Sequence, residues 1–364
     1  MPTGPMRTAR YAKAWLRSGV EVEEDELMLD RAGTPVPATF VRPRHAHPDV
    51  PAWVVLHGIT RLGRAHEQLV RFTHAMAAAG LASVVPEVPE WRELDLAPGL
   101  TAPTVRAAID GLRATGRVRE GPVGVLGFSF GAPHAIAAST HPGLRDDIAG
   151  ATGFGGYCEL ESTFRFLMTG HHEWDGRTHR LRVDPYGRWI VAANYLTGVP
   201  EYSSATAVAD ALRLLARNAG DVGLSSWDPV YDPMVIKLRE DVPEEWQALY
   251  DQFAWPSTQS PPQVDTRALA DRLAAAGRRM NPALDPVPRL AEVRGPVHVL
   301  HGRNDHLIPF TESQRMKRAL GGAKTFCTVT RLFGHSAQDA FPLLRAAREV
   351  PRFARAITRM MTVV

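Results

Sequence analysis

Short apolar runs separated by segments of helical period constrain this chain most. Residues 52–57, 81–86, 122–127 and 148–153 are brief, rich in strand formers and bounded by Gly or Pro. Between them Leu69, Phe72, Met76 and Ala79 recur at helical spacing up to Gly80, and further helices are expected near 103–115 and 131–140. Strands that alternate with helices pair in parallel through crossover connections, which implies an α/β fold. Two more strands are expected upstream, at 25–30 and 36–42, after a short amphipathic helix in residues 1–19 with Tyr11, Trp15 and Leu16 on one side.

The alternation stops after 153. Residues 158–290 carry almost no strand signal, but helical patterns at about 186–197, 205–218, 243–253 and 265–276. Five of the eight tryptophans lie in this stretch: Trp174, Trp189, Trp227, Trp246 and Trp255. After 290 the alternation resumes, with strand 296–301, helix 311–320, strand 325–332 and helices from about 338 to 361 broken near Pro351. The expected organisation is an N-terminal helical extension (1–24), an α/β core (25–157 and 291–364) and a helical insertion (158–290). No internal repeat or low-complexity tract interrupts it.

Composition narrows the function classes. With 45% hydrophobic and 22% charged residues the chain holds ample apolar side chain for a large core. Lys and Arg total 42 against 39 Asp and Glu, with no run of five like charges, so a nucleic-acid partner is not expected. Two cysteines, Cys158 and Cys327, give no disulfide framework. No run of 18 apolar residues offers a membrane span, and the charged, discontinuous first 20 residues do not read as a secretory signal. A cytoplasmic protein is expected.

One tract carries chemistry. In VGVLGFSFGAPHA (123–135) an apolar strand ends in Gly127-Phe128-Ser129-Phe130-Gly131 just where a helix begins. A hydroxyl is a poor nucleophile at neutral pH; it needs an adjacent base, and its carbonyl target needs donors for the developing oxyanion. A sharp strand-to-helix turn supports both. The serine stands exposed at the apex, glycines two residues either side avoid collision, and the helix start supplies free N–H groups.

This tract resembles the nucleophile elbow of the α/β-hydrolase superfamily. The resemblance covers about 25–157 and 291–361 and implies a mostly parallel central sheet flanked by helices. It also implies an acid, then a histidine, later in the chain. HVLHGRNDHLIPF (298–310) places Gly302, Asp305 and Pro309 in the G-x-x-D-x-x-x-P pattern, so Asp305 is the expected acid. TVTRLFGHSAQD (328–339) supplies His335 as the expected general base. His57-Gly58 after the strand at 52–57 matches a His-Gly-x oxyanion loop, with the backbone N–H groups of Ile59 and Phe130 as the donors; the HGGG form is absent, and Thr60 competes with Ile59. The His57 ring is expected to be structural, as is His301 at a strand end, and His306 to line a cleft.

The resemblance thus implies a serine hydrolase acting on a carboxylic ester or related acyl bond of a small molecule, with no cofactor and no metal. Alternatives are an acyltransferase using the same acyl-enzyme, or a non-catalytic binder of the same fold. The family commonly inserts a cap after the sixth strand, where 158–290 begins. GHHEWDGRTH (170–179) holds His171, His172, Glu173, Asp175 and His179, but lacks metal-ligand spacing and reads as a solvated loop.

Overall fold

The computed structural model describes residues 4–17, 20–260, 262, 265–332 and 343–364. Ten strands occur among them: β1 (Val22–Arg31), β2 (Thr34–Pro43), β3 (Ala52–Leu56), β4 (Ala82–Pro86), β5 (Val123–Phe128), β6 (Ile148–Phe154), β7 (His171–Trp174), β8 (Arg177–Arg180), β9 (Val297–Gly302) and β10 (Thr325–Thr330). Eight form one sheet in the order β1-β2-β4-β3-β5-β6-β9-β10. β2 runs antiparallel to both β1 and β4; every other pairing in this sheet is parallel.

The central parallel strands β3, β4, β5, β6 and β9 are buried at nearly every position because helices cover both faces. In β3 the side chains alternate between two cores. Val54 and Leu56 join Leu29, Phe40, Val84 and Ile109 on one face. Trp53 and Val55 join Phe72, Met76, Leu126, Leu300, Ile357 and Met360 on the other. Burying each such large side chain contributes about 2–3 kcal/mol.

The first helix, Gly4–Leu16, lies on the second of these faces. Tyr11 meets Phe72 edge-on at 5.9 Å. Arg7 Nη1 donates to the Met361 carbonyl at 2.9 Å, and the Thr8 and Thr358 hydroxyls are 2.6 Å apart. This helix is therefore packed against the last one, Leu343–Met361.

That last helix departs from the expected break. It continues through Pro351. The proline removes one backbone donor, but the apolar face carrying Ala356, Ile357, Met360 and Met361 is buried against the sheet and outweighs the local loss.

Between β6 and β9 lie the helices Leu160–Thr169, Pro185–Tyr195, Thr206–Val222, Asp232–Asp241, Glu244–Tyr250 and Arg267–Met280. The first and fourth of these were not anticipated. Nor was the small antiparallel sheet of β7 and β8, which occupies the stretch read as a solvated loop. Its turn is Asp175-Gly176, both at positive φ (52° and 72°), the Asp-Gly pairing that a two-residue hairpin turn favours. His172 is buried in it, stacked on His179 at 5.0 Å and edge-on to Phe310 at 5.2 Å.

Candidate active site

Ser129 follows β5 and precedes the helix Gly131–Ala138. Its φ is +51°, a left-handed conformation unusual for a residue with a side chain. Its amide donates to the Phe154 carbonyl at 2.7 Å, and its carbonyl accepts from the Ala132 amide at 3.0 Å. The apex is therefore held from both sides.

The two flanking glycines are needed. A Cβ on Gly127 would collide with the Gly131 carbonyl group and stand 2.8 Å from the Ala132 nitrogen. One on Gly131 would come within 2.6 Å of the His57 carbonyl oxygen. Gly58 closes the other side: a Cβ there would lie 3.0 Å from Ser129 Cβ and 3.6 Å from its Oγ. The structure thus brings the His57-Gly58 turn after β3 directly against the serine.

His57 is 1% exposed and braces this turn. Its Nδ1 donates to the Gly58 carbonyl at 2.7 Å, and Nε2 accepts from the Val88 amide at 3.1 Å. Glu87 Oε1 lies 3.1 Å from the same Nε2, and Glu87 Oε2 lies 3.7 Å from both Arg64 and Arg92. Burial pushes the Glu87 carboxyl up, but His57, Arg92 and Arg64 outweigh it and hold it below its ordinary value. Among the described residues, the amides of Ile59 and Phe130 donate to no backbone carbonyl. The Phe130 ring packs edge-on against Trp91 at 5.2 Å.

Asp305 lies in the loop after β9 and is 1% exposed. Its Oδ1 accepts from the amides of Leu307 and Ile308, both at 2.9 Å, and Oδ2 is 3.3 Å from His301 Nε2. His301 is locked in turn: Nδ1 is 2.6 Å from Ser313 Oγ and Nε2 donates to the Ile308 carbonyl at 2.8 Å. It orders the Asp305 loop from a strand end. His335 lies outside the described residues.

β3, β5 and β9 run parallel, so Gly58, Ser129 and Asp305 all follow carboxyl ends on one edge of the sheet. The segment between β6 and β9 is fastened along that edge. Asn194 accepts from the Leu96 amide at 3.1 Å and donates to the Leu94 carbonyl at 3.0 Å, in the loop beyond β4. Arg61, beyond β3, pairs with Asp221 at 3.0 Å. His306, beside Asp305, donates to the Arg182 carbonyl at 2.6 Å and meets Trp227 edge-on at 5.3 Å.

One anchor escaped the sequence reading. Glu312 is fully buried at the start of the helix Thr311–Ala319, where it accepts from the amides of Cys158 (3.0 Å) and Glu159 (2.9 Å) and from Ser162 Oγ (2.6 Å). Burial raises its pKa. Its partners are about 150 residues away, so only the fold marks it. Among the described residues no three His, Cys, Asp or Glu side chains converge to hold a metal, and no helix is long and apolar enough to cross a membrane.

The chain therefore folds as an open, mostly parallel sheet with Ser129 at a strand-to-helix apex. No family model and no curated protein matches the chain, but solved structures do. An acylaminoacyl peptidase in complex with Z-Gly-Gly-Phe-chloromethyl ketone matches 93% of this chain at 12% identity with a TM-score of 0.50. A 2,6-dihydroxy-pseudo-oxynicotine hydrolase matches 98% of this chain and 73% of its own at 17% identity and a TM-score of 0.49. The chain spans 40% of the length of the peptidase. At such identity the likeness concerns architecture: this chain has the α/β-hydrolase fold.

Proposed function

We propose that the protein is a serine hydrolase cleaving carboxylic esters or related acyl bonds. The observation that carries this reading is Ser129 itself: a non-glycine residue at φ +51° on a turn packed against Gly58. Such strain persists where a side chain must stand at a fixed point.

In this mechanism Ser129 Oγ attacks the acyl carbon while His335 takes its proton. Asp305 orients His335 and stabilises the imidazolium. The amides of Ile59 and Phe130 hold the oxyanion, each donor being worth about 3 kcal/mol of barrier. His335 returns the proton to the leaving alcohol, and a water activated by the same ring cleaves the acyl-enzyme to release the acid. Residues 158–290 act as a cap over the strand ends, supported by the bonds from Asn194, Asp221 and Arg182 to loops on that edge. The cap would exclude water and shape the acyl pocket.

The test is a panel of p-nitrophenyl esters of rising acyl length, run with a fluorophosphonate probe. The wild-type protein is expected to turn over at least one ester and to be labelled at Ser129. Ser129→Ala should lose labelling and at least about 10³ in kcat, since members of such a constellation act as a unit. Near wild-type turnover by the variant would end the proposal.

A further inference from the structure

The helix Pro185–Tyr195 carries an arginine on its buried side. Arg188 is 7% exposed. Its Nε donates to the Phe253 carbonyl at 2.7 Å, an oxygen that also takes the Trp189 indole N–H at 2.9 Å. Its guanidinium carbon lies 4.1 Å from the centre of the Trp255 ring. No described carboxylate pairs with it. Asp184, one turn earlier, commits its oxygens to the amides of Tyr186 (3.0 Å) and Ser226 (3.4 Å), and only its field reaches Arg188.

The other buried arginines are accounted for. Arg31 pairs with Glu90 at 2.6 Å, Arg42 with Glu23 at 3.3 Å, and Arg7 reaches the carbonyl end of the last helix. Arg188 alone leaves its two terminal nitrogens without a described partner. Neither is among the unpartnered polar atoms sealed from solvent, so each terminal nitrogen keeps a small contact with solvent. Burial pulls its pKa down to about 9, against a smaller upward pull from Asp184, so it stays charged at neutral pH. A buried cation without a counter-charge is unfavourable, and an apolar residue of similar size would serve packing better. A planar fork backed by an aromatic ring is instead suited to gripping a carboxylate through two parallel hydrogen bonds.

Its helix meets the loop that carries Asp305. The Asp184 amide donates to the His306 carbonyl at 2.9 Å, and a Cβ on Gly187 would lie 3.5 Å from Leu307. Arg188 therefore follows directly on the point where this helix meets the Asp305 loop. Building on the hydrolase reading, we propose that Arg188, backed by Trp255, binds a carboxylate carried by the substrate away from the scissile bond, so that the preferred substrates are half-esters of dicarboxylic acids or similar anionic acyl compounds.

The test compares p-nitrophenyl half-esters of succinate, glutarate and adipate with neutral p-nitrophenyl esters of matched chain length. For at least one pair the wild-type kcat/KM ratio of anionic to neutral ester should exceed one. Arg188→Gln should lower that ratio at least tenfold, and Arg188→Lys should lower it less. In a second arm, calorimetry on Ser129→Ala protein should detect binding of the matching dicarboxylate, and adding Arg188→Gln should abolish it. A residue that only braced Phe253 would shift the melting temperature without moving the ratio. If Arg188→Gln does not fold, Arg188→Lys and Trp255→Leu report the same ratio. An unchanged ratio in every pair, with dicarboxylate binding absent or indifferent to Arg188, overturns the proposal while ester turnover leaves the hydrolase reading intact. Arg188-dependent dicarboxylate binding with no ester turnover overturns the hydrolase reading and retains the site.

Discussion

At the scale of single residues, the glycines around Ser129 do more than permit a tight turn. Gly127 and Gly131 let a strand, a helix and the His57 carbonyl approach one another at distances no side chain tolerates. Gly127→Ala would force its methyl into the Gly131 carbonyl group, displacing strand or helix. We expect a loss of about 3 kcal/mol or more, read as a lower urea midpoint. Gly99, with nothing within 4 Å of an added Cβ, is the control: Gly99→Ala should stay within about 0.5 kcal/mol.

At the scale of elements, the apolar runs were legible because β3, β4, β5, β6 and β9 are short, buried and bounded by turn residues. β3, β4 and β5 fall within a residue or so of their expected bounds. The positions of Ser129, His57-Gly58 and Asp305 after strand ends were readable too, since each is a local pattern at a strand end. What the sequence hid is non-local. Glu312 gives no local sign that it binds Cys158 and Glu159. The β7–β8 hairpin was readable from Asp175-Gly176, but its flanking residues are mostly polar and obscured it. Arg188 was legible only as a charge inside the apolar pattern RWIVAA. His335, in the tract after β10, lies outside the described residues. The fastening of the helical segment is testable in the same terms. Asn194 satisfies the Leu96 amide and the Leu94 carbonyl, and Leu94 itself sits at φ +65°. Asn194→Ala should cost about 2 kcal/mol by leaving both groups unpaired. Hydrogen exchange at the Leu96 amide should accelerate well beyond the change in global stability.

At the scale of the whole molecule, three buried histidines, His134, His172 and His298, should make it sensitive to acid. Burial lowers His134 to about 3, and burial with nearby positive charge lowers His172 and His298 to about 4, from an ordinary 6.5. The unfolded chain therefore takes up these protons first as pH falls. Stability should decline from about pH 6.5 downward and continue to do so until the folded values are reached. For His134 alone the loss between pH 7 and pH 5 is about 2 kcal/mol. His134→Gln keeps a donor for the Tyr157 hydroxyl, which lies 2.8 Å from His134 Nε2, but does not titrate. Urea unfolding at the two pH values should show its acid loss smaller by about that amount; equal losses would mean that His134 is charged in the folded protein.

The left-handed backbone at Ser129 places durability and use in opposition. Glycine at that one position would relieve about 1–2 kcal/mol of backbone strain and abolish the hydroxyl. Stabilising searches scored by melting temperature alone will therefore tend to favour a Ser129→Gly form, which on the proposed hydrolase reading has lost its nucleophile. Any campaign to toughen this protein has to hold position 129 fixed and look for its gains elsewhere.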